Sequence, residues 1–292
     1  MKGIVALLGF LLWSGSCSKT DTLLNPAYLR SMATLPNVLN ESSGLERTTD
    51  GLFWSFNDRN GKAELYGFDT SGILKSTLRI TNATNIDWEG IACDEAGNLF
   101  VGDFGNNDND RRDLSIYKIA MPTFEQQTIN LPAGKIEFYF PEQTEFPPPE
   151  KEWQFDIEAM FARGGWLYLL TKDRSKPFVG KTRLYRLPDS PGNYQAVFLA
   201  EFITNRDESK GQITAADISP DGSILVLLTN KRLYLFKDFL DNDFFSGTPE
   251  QRDLPINRQM EGLVIQDSCT IFLTNEKKDG ESGMLYEAKI CN

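Results

Sequence analysis

The sequence predicts an all-β chain, folded as a β-propeller of five four-stranded blades, and three observations predict it. A short phrase recurs along the chain: Ser43-Gly44-Leu45, Glu89-Gly90-Ile91, Glu158-Ala159-Met160, Thr214-Ala215-Ala216 and Glu261-Gly262-Leu263. Each phrase is followed by a turn position (Gly51, Gly97, Gly165, Gly222, Cys269). An apolar run comes next: Phe53-Trp54-Ser55-Phe56, Leu99-Phe100-Val101-Gly102, Leu167-Tyr168-Leu169-Leu170, Ile224-Leu225-Val226-Leu227, then Ile271-Phe272-Leu273-Thr274. Polar residues end most of these runs, namely Asn57, Asp103, Thr171 with Lys172, Asn230 and Asn275. Self-similarity at a fixed period marks radially repeated units. Short strands separated by Gly, Asn, Asp and Pro turns make those units blades.

The chain begins with a leader. Lys2 precedes an apolar run from Gly3 to Trp13, and Ser14-Gly15-Ser16 place small residues before Cys17. Charge, length and cleavage chemistry mark residues 1–16 as a signal peptide. The run falls short of a bilayer span, which needs about 20 residues. A cysteine directly after small residues resembles a bacterial lipobox, with Ser14 where the usual leucine stands. On that reading Cys17 is the acylated first residue of the exported chain, and diacylation gives stable membrane anchoring. The other reading is ordinary secretion with Cys17 a spare thiol. Residues 17–32 then read as a lipidated tether, and 33–292 as a single propeller domain at the cell envelope, facing the periplasm or the surface.

Further strands follow each apolar run. The first unit continues with Glu64–Phe68 and Ile73–Ile80, the second with Ser115–Ile119 and Lys135–Phe140. The third has Arg183–Leu187 and Ala196–Ile203, the fourth Arg232–Phe236 and a segment near Asp253–Ile256. The fifth ends on Met284–Ala288 and lacks a fourth strand. Ala33–Leu39 is expected to supply it, so that the N-terminal segment closes the last blade and removes a bare sheet edge. A sixth blade has room only between Pro141 and Gln154, where Pro147-Pro148-Pro149 argues for an insertion loop. Few helices are expected; Asp238–Gly247 is the best candidate for a short one.

The chain has 292 residues, 41 acidic against 30 basic, and a net charge of −11. That length buries about three-quarters of its unfolded surface in one domain. The acidic balance argues against nucleic acid, whose phosphates require a basic face. Histidine is absent, which excludes a Ser-His-Asp triad, a Cys-His pair and an HExxH metalloprotease. Of the four cysteines, Cys269 and Cys291 flank strands expected to pair. They form either a disulfide, worth about 3 kcal/mol, or two reduced thiols. Cys93 reads as a buried core thiol.

The innermost strand of a blade runs antiparallel to the second, so the start of one and the end of the other share a rim. Glu89, Glu158 and Glu261 at strand starts, with Asn57, Asp103, Lys172, Asn230 and Asn275 at strand ends, are therefore expected around one mouth of the central channel. Glu41, Asp87 and Asp156 lie on the same side by the period of two. Carboxylates crowded at a narrow mouth call for a cation, and calcium accepts oxygen ligands of this kind. The alternative is that these residues bond backbone amides between blades and hold the ring together. Asn106, Asp108 and Asp110 have calcium-loop spacing, but Arg111 stands where the turn glycine belongs, and the loop reads as a solvated turn. Lys172-Asp173-Arg174-Ser175-Lys176-Pro177 through Lys181 is a basic loop beginning at the same rim. It reads either as a solvated loop or as a grip for a carboxylate or phosphate.

The phrases Glu41-Ser42-Ser43-Gly44-Leu45, Asn57-Asp58, Asp87-Trp88-Glu89-Gly90-Ile91, Gly102-Asp103-Phe104-Gly105-Asn106-Asn107, Asp156-Ile157-Glu158-Ala159 and Glu261-Gly262-Leu263 resemble a family of exported bacterial propellers. More distantly the chain is similar to the SdiA-regulated, phytase-like and gluconolactonase (SMP-30) propellers. That resemblance implies a calcium or other divalent ion at the channel mouth, with Glu89, Glu158, Glu261, Asn57, Asp103 and Asn275 as candidate ligands. The expectation is a monomeric, lipid-anchored module whose mouth binds a glycan, small metabolite or envelope protein. The alternative is a calcium-dependent hydrolase of a lactone or phosphoester, with Glu158 or Glu89 as base and Lys172 as electrostatic aid.

Overall fold

The computed structural model describes residues 22–121, 127–247, 249–278 and 280–291. The leader and Cys17 lie outside them. Five antiparallel sheets follow one another, each ordered from its innermost strand outward. Their innermost strands are Ser42–Arg47, Trp88–Cys93, Asp156–Arg163, Ile213–Ile218 and Met260–Ile265. Each touches the next and the fifth touches the first, so the ring closes with five blades and no sixth. The Pro141–Gln154 stretch holds only a short 3-10 turn, Glu150–Glu152.

The apolar runs form the second strands, and each is buried on both faces. In Phe53–Asn57, Phe53 packs into the seam with the fifth blade while Trp54 and Phe56 pack into the seam with the second. A strand covered on both sides reads as a continuous apolar run instead of an alternating one. Each of the five seams between blades has its own buried cluster, so the core is a ring of interfaces around a polar axis.

The fifth blade is closed from the N-terminus, but by Leu29–Thr34, which pairs antiparallel with Met284–Lys289. The expected segment, Ala33–Leu39, instead sends Leu35 and Leu39 into the seam between the fifth and first blades. Three outer edges carry an added parallel strand: Thr128–Leu131 on the first blade, Gly192–Gln195 on the second and Thr22–Leu23 on the fourth. Each pairs with backbone groups that would otherwise be left open. Thr22–Leu23 and Leu29–Thr34, expected to belong to a tether over 17–32, lie on the propeller instead.

Two local expectations change. Asp238–Gly247 is a folded loop without helix, and the single α-helix among the described residues is Glu208–Gly211, capped by Asp207 accepting from Ser209 N. The outer strand of the fourth blade is Glu250–Asp253, a few residues earlier than expected. Among the described residues, no helix is long and apolar enough to cross a membrane. Cys269 and Cys291 are joined in a disulfide. Cys93 is half-buried beside the seam cluster of the first two blades.

Candidate functional site

The recurring phrase has a structural reason that periodicity alone does not show. In four blades its first residue is a β-bulge, an extra residue on the innermost strand with no partner opposite: Glu89, Glu158, Thr214 and Glu261. In the first blade the irregularity falls one position later, where Gly44 has φ +73°. A bulge re-aims its side chain out of the ladder, here toward the axis. The small residue that follows is required by packing: a β-carbon at Gly262 would meet Thr274 Oγ1 at 2.0 Å, and one at Gly90 would meet the Phe104 ring at 2.9 Å.

At the upper rim, where the innermost strands begin, the bulged glutamates line a polar cavity of about 210 Å³, while Thr214 Oγ1 donates to Met260 O. Glu89, Glu158, Glu261, Asp58 and Glu276 face Arg59, Lys172 and Arg174 there, five carboxylates against three cations. Glu158 is the hub: its Oε1 lies 3.0 Å from Lys172 Nζ and 2.9 Å from Arg174 Nη2. Arg174 also holds Asp156 at 2.6 Å. Ser43 Oγ donates to Glu89 Oε2 at 3.2 Å, and Gln259 Nε2 to Glu261 Oε1 at 3.0 Å.

The cations do not neutralise the set. Burial, then Glu158 and Asp58, push the Glu89 carboxyl well up. Burial raises Glu158 to about 8 against the pull of Lys172, and raises Glu276 to about 8 with help from Glu261. Burial also raises Glu261 and Asp58, and lifts Asp87 to about 6 with Asp58 adding to it. Lys172 is held above its ordinary value because Glu158 and Glu261 outweigh its burial.

One group within this set has ligand geometry. Oxygens of Asp58, Asp87 and Glu89 lie within 4.8 Å of one another. Asp87 is buried, and its Oδ1 has no hydrogen-bond partner. Gly105 makes the room: a β-carbon there would sit 2.6 Å from Asp87 Cγ and 2.8 Å from Glu89 Cγ. An orphaned oxygen in a cradle of hard oxygen donors fits a divalent cation such as calcium.

The residues expected at the mouth separate into two groups. Glu89, Glu158, Glu261 and Lys172 line the cavity. Asn57, Asp103 and Asn275 do not. Asn57 accepts from Asn40 N and Glu41 N and donates to Val38 O. Asn275 accepts from Met284 N and donates to Glu276 O. Asp103 accepts from Asp87 N at 3.1 Å and from Arg111 Nη2 at 3.0 Å, which makes it a support for Asp87. Asn230 lines a separate surface pocket beside Lys231 and Arg258. Arg174, from the basic loop expected at this rim, lines the cavity as well, and so do Asp58, Arg59 and Glu276, which the spacing did not single out. The available signal was position: Asp58 and Glu276 each directly follow a strand-ending asparagine.

In the 106–110 loop Asp108 and Asp110 are exposed, as in a solvated turn, while Asn106 and Asn109 are buried and tie two blades together. Asn106 N donates to Asp156 Oδ1 at 2.6 Å, and Asn109 Oδ1 accepts from Phe155 N at 2.8 Å, linking the second and third blades. The basic loop is divided. Lys172 and Arg174 point into the cavity, while Lys176 pairs with Glu150 at the surface.

No protein-family model and no curated protein matches the chain. Among solved structures it is similar to a gluconolactonase from Xanthomonas campestris, at 12% identity over 89% of each chain with a TM-score of 0.46. It is also similar to a streptogramin B lyase, at 11% identity over 91% of this chain and 88% of that one (TM-score 0.44). A virginiamycin B lyase from Staphylococcus aureus matches at 12% identity over 88% and 69%, with a TM-score of 0.42.

Proposed function

We propose that this chain is a lipid-anchored envelope propeller that binds a divalent cation, calcium by ligand chemistry, at its upper mouth and uses that mouth to hold a small polar ligand. The observation that carries the reading is the buried, unpartnered Asp87 Oδ1 beside Asp58 and Glu89. A buried charge without a partner is strongly disfavoured. A cation at these oxygens removes that cost and lowers the values that burial has raised. Lys172 and Arg174 lie across the cavity and supply the opposite charge for a ligand carboxylate or phosphate. At about 210 Å³ the cavity is smaller than the roughly 300–1,000 Å³ of drug-sized sites. It suits a small metabolite or the terminal group of a glycan or envelope protein.

The test is metal analysis of the full chain purified without chelator, with melting temperature followed against added calcium. Bound calcium and a rise in melting temperature are expected. No bound divalent ion together with no shift removes the reading.

The Glu158-Lys172-Arg174 cluster favours a second reading, hydrolysis of a lactone or phosphoester. Glu158 would accept a proton from attacking water, and Lys172 and Arg174 would stabilise the developing oxyanion. A screen of lactones and phosphoesters with Glu158→Gln as control decides it. Activity unchanged by that substitution clears Glu158 of the role.

A further inference from the structure

We propose that a second cavity at the upper rim, on the outer side of the second blade, binds a small carboxylate carried on an apolar body, with Arg112 gripping the carboxylate. The cavity shares no lining residue with the acidic mouth, and the inference does not depend on a cation there.

The strand order places it. Leu99–Asp103 and Gly134–Tyr139 each run antiparallel to Ser115–Ile119, so both end at the upper rim. The loop after the first strand carries Arg111 and Arg112, and the chain leaving the second carries Thr144 and Phe146. These residues line a cavity of about 510 Å³. That lies within the roughly 300–1,000 Å³ of small-molecule sites, where the mouth does not. Its floor is apolar: Leu114, Phe138 and Phe140 are buried in the seam between the second and third blades. An apolar floor with a few fixed polar groups is the composition such sites share.

Arg112 gives the chemistry. Its guanidinium carbon lies 3.7 Å from the centroid of the Phe146 ring. At so short a distance the cation lies flat on the ring, since an N–H aimed at the ring would hold that carbon farther away. The N–H donors all lie in the guanidinium plane, so the stacking fixes the face of the cation and leaves its donor edge open. Arg112 forms no ion pair and no hydrogen bond with another described residue. Its neighbour Arg111 is engaged on every nitrogen: Nε donates to Asp113 Oδ1 at 3.0 Å, Nη1 to Gly105 O at 2.8 Å and Nη2 to Asp103 Oδ1 at 3.0 Å. Glu142, from the same insertion, accepts from Tyr185 Oη instead. In a chain of net charge −11, a guanidinium held by its face with its donors unused selects an anion. A carboxylate matches its planar fork with two parallel hydrogen bonds. The apolar floor takes the body that carries it.

The test is isothermal titration of the full chain with phenylpropionate and with hexanoate, an aromatic and an alkyl carboxylate. Acetate and phenylpropanol are the controls, each lacking one half of the recognition. Saturable binding of at least one of the two carboxylates is expected, with both controls about tenfold weaker or more. Arg112→Gln removes the grip, and Thr144→Trp fills the cavity from its exposed lip. Each is expected to weaken binding by about tenfold or more in a chain that still melts cooperatively. Position 112 is exposed as well, and either variant that folds decides the matter. No saturable binding of either carboxylate up to about 10 mM overturns the inference. Wild-type affinity in a folded variant also overturns it, because the anion then sits elsewhere, as at Lys172 and Arg174. Phenylpropanol binding as tightly as phenylpropionate overturns the role of Arg112 and the inference with it.

Discussion

Asp87 and Gly105 share one small space: a β-carbon at Gly105 would lie 2.6 Å from the Asp87 carboxyl carbon. The glycine keeps that carboxylate beside Asp58 and Glu89 and leaves its Oδ1 free for a cation. Gly105→Ala is expected to weaken calcium binding by about 10- to 100-fold, the range for groups that orient ligands. Asp87→Asn is expected to weaken it at least as much. Isothermal titration on the folded variants checks both. Wild-type affinity in Asp87→Asn would place the ion elsewhere.

The raised carboxyls set a pH dependence. Asp87 stands at about 6 against an ordinary 3.8, and Glu158 and Glu276 at about 8 against 4.5. A raised folded-state value means the folded protein binds the proton more tightly than the unfolded chain does. The resulting stability is fully present below the ordinary values and is lost as pH rises through 6 to 8. In chelator, the melting temperature is expected to fall between about pH 4 and about 8. Calcium should flatten the part of that fall below about pH 6, because it replaces the proton at Asp87. Thermal scans across this range, with and without calcium, read the sign directly; a rise with pH in chelator contradicts it.

Glu158 is buried, Lys172 largely so, and the two are 3.0 Å apart. Removing one partner of a buried pair costs about 3–5 kcal/mol, because the other charge is left uncompensated. Lys172→Met is expected to destabilise by about that amount, reduced by the remaining Arg174. Adding Glu158→Gln should recover a large part of it. A double-mutant cycle in denaturant measures the coupling, and additive effects would show that the pair is not coupled.

The Cys269–Cys291 bond ties the residue just before the fifth blade's second strand to the second residue after its third, across a sequence separation of 22. Loop-closure entropy gives it about 3 kcal/mol. A Cys269→Ser/Cys291→Ser variant is expected to lose that stability while keeping calcium affinity, since the bond lies at the lower rim. Reduced calcium affinity in a folded variant would show that the two rims are coupled.

The asparagines show where sequence reading stopped. Asn57 and Asn275 end strands at the correct rim, as expected. An amide both donates and accepts, so each satisfies nearby backbone groups and neither lines the cavity. A carboxylate only accepts. Asp58 and Glu276, one residue further on, reach the cavity instead. A period-of-two argument cannot separate neighbours once the strand has ended. The bulges at Glu89, Glu158 and Glu261 were likewise invisible, because an unpaired residue is defined by what lies opposite it.

From the sequence alone came the ring: five units, their apolar cores, the closure from the N-terminal side, and the end of the channel at which acidic side chains gather. These follow from repetition and from burial on two faces, both of which are written locally. Tertiary structure decided which carboxylates meet, which is left without a partner, and where Gly105 opens space for it. Those outcomes depend on distances between blades far apart in sequence, set by packing across the seams.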